Sequence, residues 1–209
     1  SADTTTLTLT NNLTTGTATV ADAAGVTTAT TGNIALTAVT GISGAGVLTT
    51  GNASVDATTA DAVDTATSGN ITLNVTGAGD VGLSGGNALT IGTATVTNNT
   101  ANDTATTGNI TVTSADRVNN GTASTALDVS FGAATGGSTN TAGTLTVTTD
   151  GGAGAAGEIF VTSGEALTVG VLNTADGTGQ TISIVTTAGN LTWSGASLLD
   201  TDTVTLGGA

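Results

Sequence analysis

The chain has 209 residues, no Cys, Pro, Met, Tyr or His, one Trp, and fifteen carboxylates against a single cation, Arg117. A formal charge of −14 excludes nucleic acid as a partner, because nothing here neutralises phosphates, and it disfavours anionic membrane surfaces. Without cysteine there is no disulfide framework or thiol chemistry, and an aromatic content near 1% excludes a core built on large rings.

Strand candidates recur about every ten residues, as short alternations of an aliphatic residue with Thr or another small polar residue. In chain order they begin with Thr6–Thr10, Thr17–Val20 and Ile34–Leu36, followed by Ile71–Val75, Val81–Leu83, Leu89–Ile91 and Val96. The series continues through Ile110–Val112, Leu127–Phe131, Leu145–Val147, Ile159–Val161 and Leu167–Val171, and ends with Ile182–Ile184, Leu191–Trp193 and Val204–Leu206. Clusters of Gly, Asn, Asp, Ser and Ala separate them and supply turns. No segment carries the three-and-four spacing of a helix, and Thr, roughly a quarter of the chain, suits an exposed strand face.

Two internal repeats give the organisation. Gly69-Asn70-Ile71-Thr72-Leu73 returns as Gly32-Asn33-Ile34-Ala35-Leu36, Gly108-Asn109-Ile110-Thr111-Val112 and Gly189-Asn190-Leu191-Thr192-Trp193. The first three copies lie about 37 to 39 residues apart. A longer match aligns Gly79–Gly92 with Gly157–Gly170 without a gap, at about twice that period. Repeated alternating strands of fixed spacing predict an all-β fold, a parallel β-helix (β-solenoid) in which like residues stack from coil to coil. One solenoid domain over residues 1–209 is expected, its repeats of about 39 residues making two coils each. That gives roughly ten coils, ~50 Å at the spacing of neighbouring strands. Ile71, Leu73, Ile110, Val112, Leu145, Val147, Ile182 and Ile184 are expected inside, with Thr72, Thr111, Thr144, Thr146 and Thr181 outside.

Gly-Asn-Ile-Thr-Leu, Gly-Asp-Val-Gly-Leu and Asn-Ala-Leu-Thr-Ile-Gly resemble the degenerate repeats of filamentous-haemagglutinin-type exoproteins, over about residues 30 to 206. These are large bacterial surface adhesins built on parallel β-helices and exported through an outer-membrane partner. The resemblance implies an extracellular, cell-surface protein. The chain is short for that family, and its amino-terminal secretion module is not recognisable here. Ser1, with no Met before it, reads as a processed terminus.

Chemistry leaves little mark. Without His, Lys or Cys there is no base or nucleophile pair for covalent catalysis, and a sugar-cleaving groove would need more aromatic and basic residues. The chain is therefore expected not to be an enzyme, with no catalytic, cofactor-binding or metal residue assigned. Calcium is the one cofactor the carboxylates leave open, at Asp56, Asp61 and Asp64 or at Asp200 and Asp202, yet solvated turn carboxylates explain these as well. Arg117 should pair weakly with Asp116 at the surface. Trp193 takes the inward phase with Leu191. Phe160, between two inward residues, either faces a neighbouring subunit or is turned in by a bulge.

The expected function is structural: a secreted β-solenoid belonging to a surface filament, adhesin or biofilm matrix fibre, self-associating as a homopolymer through its end coils. No nucleic-acid partner or membrane insertion is expected, because no apolar run approaches a membrane span. Two alternatives stand beside this, a segment of a larger secreted adhesin and an ice-binding Thr array. The second draws on Thr6-x-Thr8-x-Thr10, Thr93-x-Thr95-x-Thr97 and Thr144-x-Thr146-x-Thr148, which come at uneven intervals.

Overall fold

A computed structural model describes residues 5–23, 25–57, 63–97, 102–119, 126–150, 157–175, 181–195, 198–199 and 203–208. Among the described residues there are 25 strands and no helix. The first circuit of the chain lays down β1 (Thr6–Leu9), β2 (Leu13–Thr14), β3 (Ala18–Ala23), β4 (Thr28–Thr30) and β5 (Ile34–Ala38). The second repeats the set as β6 (Gly41–Gly44), β7 (Leu48–Thr49), β8 (Ala53–Ala57), β9 (Thr65–Thr67) and β10 (Ile71–Val75). The third is β11 (Asp80–Leu83), β12 (Leu89–Ile91), β13 (Ala94–Thr97), β14 (Thr104–Thr106) and β15 (Ile110–Ser114). The fourth opens with an isolated bridge at Val118, then β16 (Leu127–Phe131), β17 (Ala134–Thr135), β18 (Thr139–Thr141) and β19 (Leu145–Asp150). Beyond it come β20 (Ile159–Ser163), β21 (Leu167–Ala175), β22 (Thr181–Thr186), β23 (Leu191–Trp193), β24 (Leu198–Leu199) and β25 (Thr203–Gly207).

Each strand pairs with its counterpart one circuit on, so five separate parallel sheets form. Sheet I is β1-β6-β11, sheet II β2-β7-β12-β16-β20-β22-β25, sheet III β3-β8-β13-β17, sheet IV β4-β9-β14-β18, and sheet V β5-β10-β15-β19-β21-β23 with β24 also on β21. Register is strict where the sequence repeats: Ile34, Ile71, Ile110 and Leu145 form one column, and Leu36, Leu73, Val112 and Val147 the next.

This corrects the expected coil count. Ile71 pairs directly with Ile110, so the unit of about 39 residues is one circuit and not two, and sheet II is seven strands deep where ten coils were expected. The reason lies in sheets III and IV. They face each other across a small cluster of Ala29, Ala53, Val55, Ala66, Ala94, Val96 and Ala105, forming an arm that takes up nearly half of each circuit. Side chains this small let two sheets approach closely with little apolar volume between them. After β19 the chain skips the arm; β20 still pairs 34 residues back with β16, but from β21 on the residues bonded across layers lie 21 to 25 apart instead of 34 to 42. A coil of about 20 residues is thus realised only in this last part.

The shortening also splits the longer sequence match. Ile159 continues the column of Val81 and Val118, as the alignment requires. Leu89-Thr90-Ile91, however, lies in sheet II, whereas its aligned partner Leu167-Thr168-Val169 lies in sheet V. The main core is a continuous stack of Ile, Leu and Val enclosed by sheets I, II and V. Ile71, Leu73, Ile110, Val112, Leu145, Val147, Ile182 and Ile184 are all 0% exposed, while Thr72, Thr111, Thr144, Thr146 and Thr181 are half-buried or exposed. Period-two alternation therefore predicts both faces correctly.

Candidate functional surfaces

The Gly-Asn pairs sit at the corner between sheets IV and V. There the backbone turns out of its ladder and would leave N–H groups unpaired. Side-chain oxygens from the layer below take them instead. Asn33 Oδ1 accepts from Asn70 N at 2.8 Å, Asn70 Oδ1 from Asn109 N at 2.7 Å, and Asn109 Oδ1 from Thr144 N at 2.8 Å. A second ladder runs beside it, with the hydroxyls of Thr31, Ser68 and Thr107 accepting from Gly69, Gly108 and Gly143 at 2.8, 3.1 and 2.8 Å. Glycine is required because the layers meet so closely. A Cβ on Gly108 would stand 2.1 Å from the Gly69 carbonyl oxygen. The fourth sequence copy, Gly189-Asn190, leaves this corner column: Asn190 lies in the layer over Leu167, to which its carbonyl is hydrogen-bonded at 3.0 Å.

Sheet IV carries a regular polar face. Thr28 and Thr30, Thr65 and Thr67, Thr104 and Thr106, and Thr139 and Thr141 pair in register over four consecutive strands. Ala29, Ala66 and Ala105 between them are buried, so the threonines point outward. The sequence reading missed this array. Its signal was the full motif Thr-Ala-Thr-Thr/Ser-Gly-Asn at residues 28–33, 65–70 and 104–109, of which only the Gly-Asn end was recognised.

Two columns of charged groups run across the layers. Asp80, Arg117 and Glu158 precede Val81, Val118 and Ile159 in successive layers. Arg117 Nε lies 3.4 Å from Asp80 Oδ1 and 3.8 Å from Asp116 Oδ1, and a terminal guanidinium nitrogen lies 4.0 Å from Glu158 Oε2. The expected surface pair with Asp116 is thus a three-carboxylate column around the one cation. Burial first, and the negative charge of Asp80 next, push the Asp116 carboxyl above the usual carboxylate range, with Arg117 pulling the other way.

The other column is buried in the turn leading into sheet IV. Asp64 is 1% and Asp103 0% exposed. Thr27 donates to Asp64 Oδ1 from its hydroxyl at 2.5 Å and its N–H at 3.0 Å, and Asp64 N donates to Asp103 Oδ1 at 2.9 Å. Among the carboxylates first weighed for calcium, Asp56 is exposed and accepts from the Thr97 hydroxyl at 2.8 Å. Asp61, Asp200 and Asp202 lie outside the described residues. Among the described residues no group of three or more carboxylates is placed to hold a metal ion.

Among the described residues, both ends of the stack are open. β1 and β2 pair on one side only, as do β23 and β25, and Leu13, Val204 and Leu206 are 41%, 42% and 48% exposed. A cleft of about 550 Å³ at the carboxyl-terminal end is lined by Leu191, Trp193 and Leu206 together with Asn190, Thr192, Gly207 and Gly208, with no charged group among them. Trp193 is half-buried against the core, and its indole N–H donates to Gly195 O at 2.8 Å. Phe160 is buried at 6% exposure, so it offers no outward ring to a partner. A smaller cleft of about 230 Å³ marks the step where the arm stops, with Glu165 and Ala166 facing Gly132 and Gly143.

Comparison with protein-family models, with curated proteins and with solved structures found no match.

Proposed function

We propose that the chain is a β-solenoid of structural function, part of an extracellular surface filament, adhesin or matrix fibre. The open ends carry this reading. Strands at both ends present unpaired backbone groups beside exposed Leu13, Val204 and Leu206, a combination that invites strand addition. Either a second copy or further repeats of a larger adhesin would cover them. The resemblance of the repeats to surface exoproteins points the same way, and the large negative charge suits a long solvated surface.

The two ends differ in outline. Among the described residues the first layer has strands of all five sheets, whereas sheets III and IV stop after four strands and only sheets II and V reach the far end. A head-to-tail junction of copies would therefore continue sheets II and V and leave the incoming arm overhanging the step. Contact between unlike ends does not close on itself and makes open filaments. Sedimentation and negative-stain imaging of the full chain, and of a variant lacking residues 1–10, test this. Filaments from the full chain alone support self-association. A full chain that stays monomeric at high concentration, or a truncation that assembles equally well, removes it and leaves the segment of a larger adhesin.

The threonine face of sheet IV favours a second reading, ice binding. Such a surface needs Thr pairs in consecutive layers of one flat sheet, and four layers have them. Against it, Thr111, Thr113, Thr146 and Thr148 stack outward on sheet V too, so Thr is a general outward choice. A thermal-hysteresis measurement on the wild type and on Thr67→Tyr decides: hysteresis lost in the variant supports ice binding, and none in the wild type ends it.

A further inference from the structure

We propose that the step where the arm stops is a docking site for an extended segment of a basic partner protein. The segment adds to the free strand edge there and places one Lys or Arg side chain in the cleft between Phe131 and Glu165. After Ser163 the chain crosses straight from sheet II to sheet V through Gly164, Glu165 and Ala166, and the Glu165 N–H donates to Ser163 Oγ at 3.3 Å. This crossing faces the neck of the arm, where Gly132 and Gly143 carry no side chains, and a hollow is left between them. It consists of the cleft of about 230 Å³ and an adjoining one of about 370 Å³, which share Phe131, Gly132, Ala133 and Glu165.

Three observations define the occupant. Glu165 is the only charged group lining either cleft, and its exposed carboxylate has no hydrogen-bond or ion-pair partner among the described residues. Phe131 is half-buried and lines both clefts, so a cation held by Glu165 also meets an aromatic ring. The backbone beside the cleft is free on one side. Ser130, Phe131, Ala134 and Thr135 pair with Thr90, Ile91, Ala94 and Thr95 in the layer below. Among the described residues no strand pairs above them, because β20 meets β16 only at Leu127 and Asp128. An open edge beside a side-chain pocket recruits extended peptides, with main-chain bonds giving affinity and the pocket selecting the side chain. That favours a polypeptide over a free amine. Finally, another copy of the chain cannot supply the cation, since it has no Lys and Arg117 is engaged with Asp80, Asp116 and Glu158. The partner is therefore a different protein, drawn in by the charge of −14. The site lies on the flank, three strands below β25 in sheet II, so it is independent of whether copies join end to end.

The probe is a blocked synthetic peptide, Thr-Val-Thr-Lys-Thr-Val-Thr, titrated into the isotope-labelled full chain and followed by amide NMR shifts. Saturable shifts are expected at residues 130–135 and 165–166. Binding should weaken about tenfold or more in Glu165→Gln, and equally when norleucine replaces the peptide's Lys. Asp128→Asn, which removes a neighbouring carboxylate outside the clefts, should bind as the wild type does. A peptide N-methylated at alternate residues cannot pair as a strand and should not bind. The proposal is overturned if the Lys peptide leaves the step unshifted, or if the norleucine peptide or Glu165→Gln binds as well. Shifts spread over the carboxylates generally, or equal weakening in Asp128→Asn, would overturn it by showing diffuse attraction to an acidic chain. Equal binding of the N-methylated peptide or of butylammonium alone would overturn it by placing a small amine, and not a partner strand, at the step.

Discussion

Asn70 accepts the backbone N–H of Asn109 at 2.7 Å, 39 residues further along the chain, while its own N–H is held by Asn33 at 2.8 Å. One residue thus ties three layers together, through its backbone on one side and its side chain on the other. Asn70→Ala leaves the Asn109 N–H without its acceptor at an exposed corner, where water replaces part of the bond. We expect a loss of about 1 kcal/mol, read from chemical denaturation.

The glycine beside that asparagine tolerates less. In Gly108→Ala the new methyl would lie 2.1 Å from a backbone oxygen that cannot move without breaking the ladder, so a loss of about 3 kcal/mol or more is expected. Gly82 is the control, since a methyl added to this strand residue would meet nothing within 4 Å. Gly82→Ala should match or exceed the wild type by up to about 1 kcal/mol, because it restricts the unfolded chain. Equal melting of the two variants would contradict the close layer contact.

In the main core, Ile110 is 0% exposed between Ile71 and Leu145. Ile110→Val should cost about 1 kcal/mol. Ile110→Asp should prevent folding, since the core offers the carboxylate no partner. Circular dichroism of the purified variants reads both outcomes.

The fold was legible where one residue type does one job. Alternation of Ile, Leu and Val with Thr placed Ile71, Leu73, Ile110 and Val112 inside, and Gly-Asn marked a corner in three successive layers. The circuit length was not legible, because Ala29, Ala66 and Ala105 read as turn composition when they are the floor of an arm. The same misreading hid the threonine face above them. The charged columns were invisible for a different reason: Asp80 meets Arg117, and Asp64 meets Asp103, only once the layer period is known.

Asp116 gives a pH signature. Its carboxyl is raised above the usual range, so the folded chain holds this proton more tightly than the unfolded chain does. Its contribution to stability is complete below the unfolded value and is lost as pH rises through the raised folded value. Ionised Asp116 is then a burden at neutral pH. Asp116→Asn should melt above the wild type at pH 7, with the gap closing on acidification through the carboxylate range. A gap that widens on acidification would contradict the assigned direction.

The pairing of layers about 39 residues apart underlies the Gly-Asn corner, the threonine face and the Asp64–Asp103 column, and a disulfide reads it directly. The chain has no cysteine, and Thr72 and Thr111 are register partners on the outer face of sheet V. Neighbouring strands lie ~4.8 Å apart, within the ~4.4–6.8 Å span that a disulfide bridges between Cα atoms. Oxidation of the double variant Thr72→Cys, Thr111→Cys should give a monomeric cross-linked chain in high yield, whereas Thr72→Cys with Thr90→Cys should not cross-link. A bridge between positions 72 and 90, with none between 72 and 111, would mean coils of about 20 residues and would contradict the stack of long circuits.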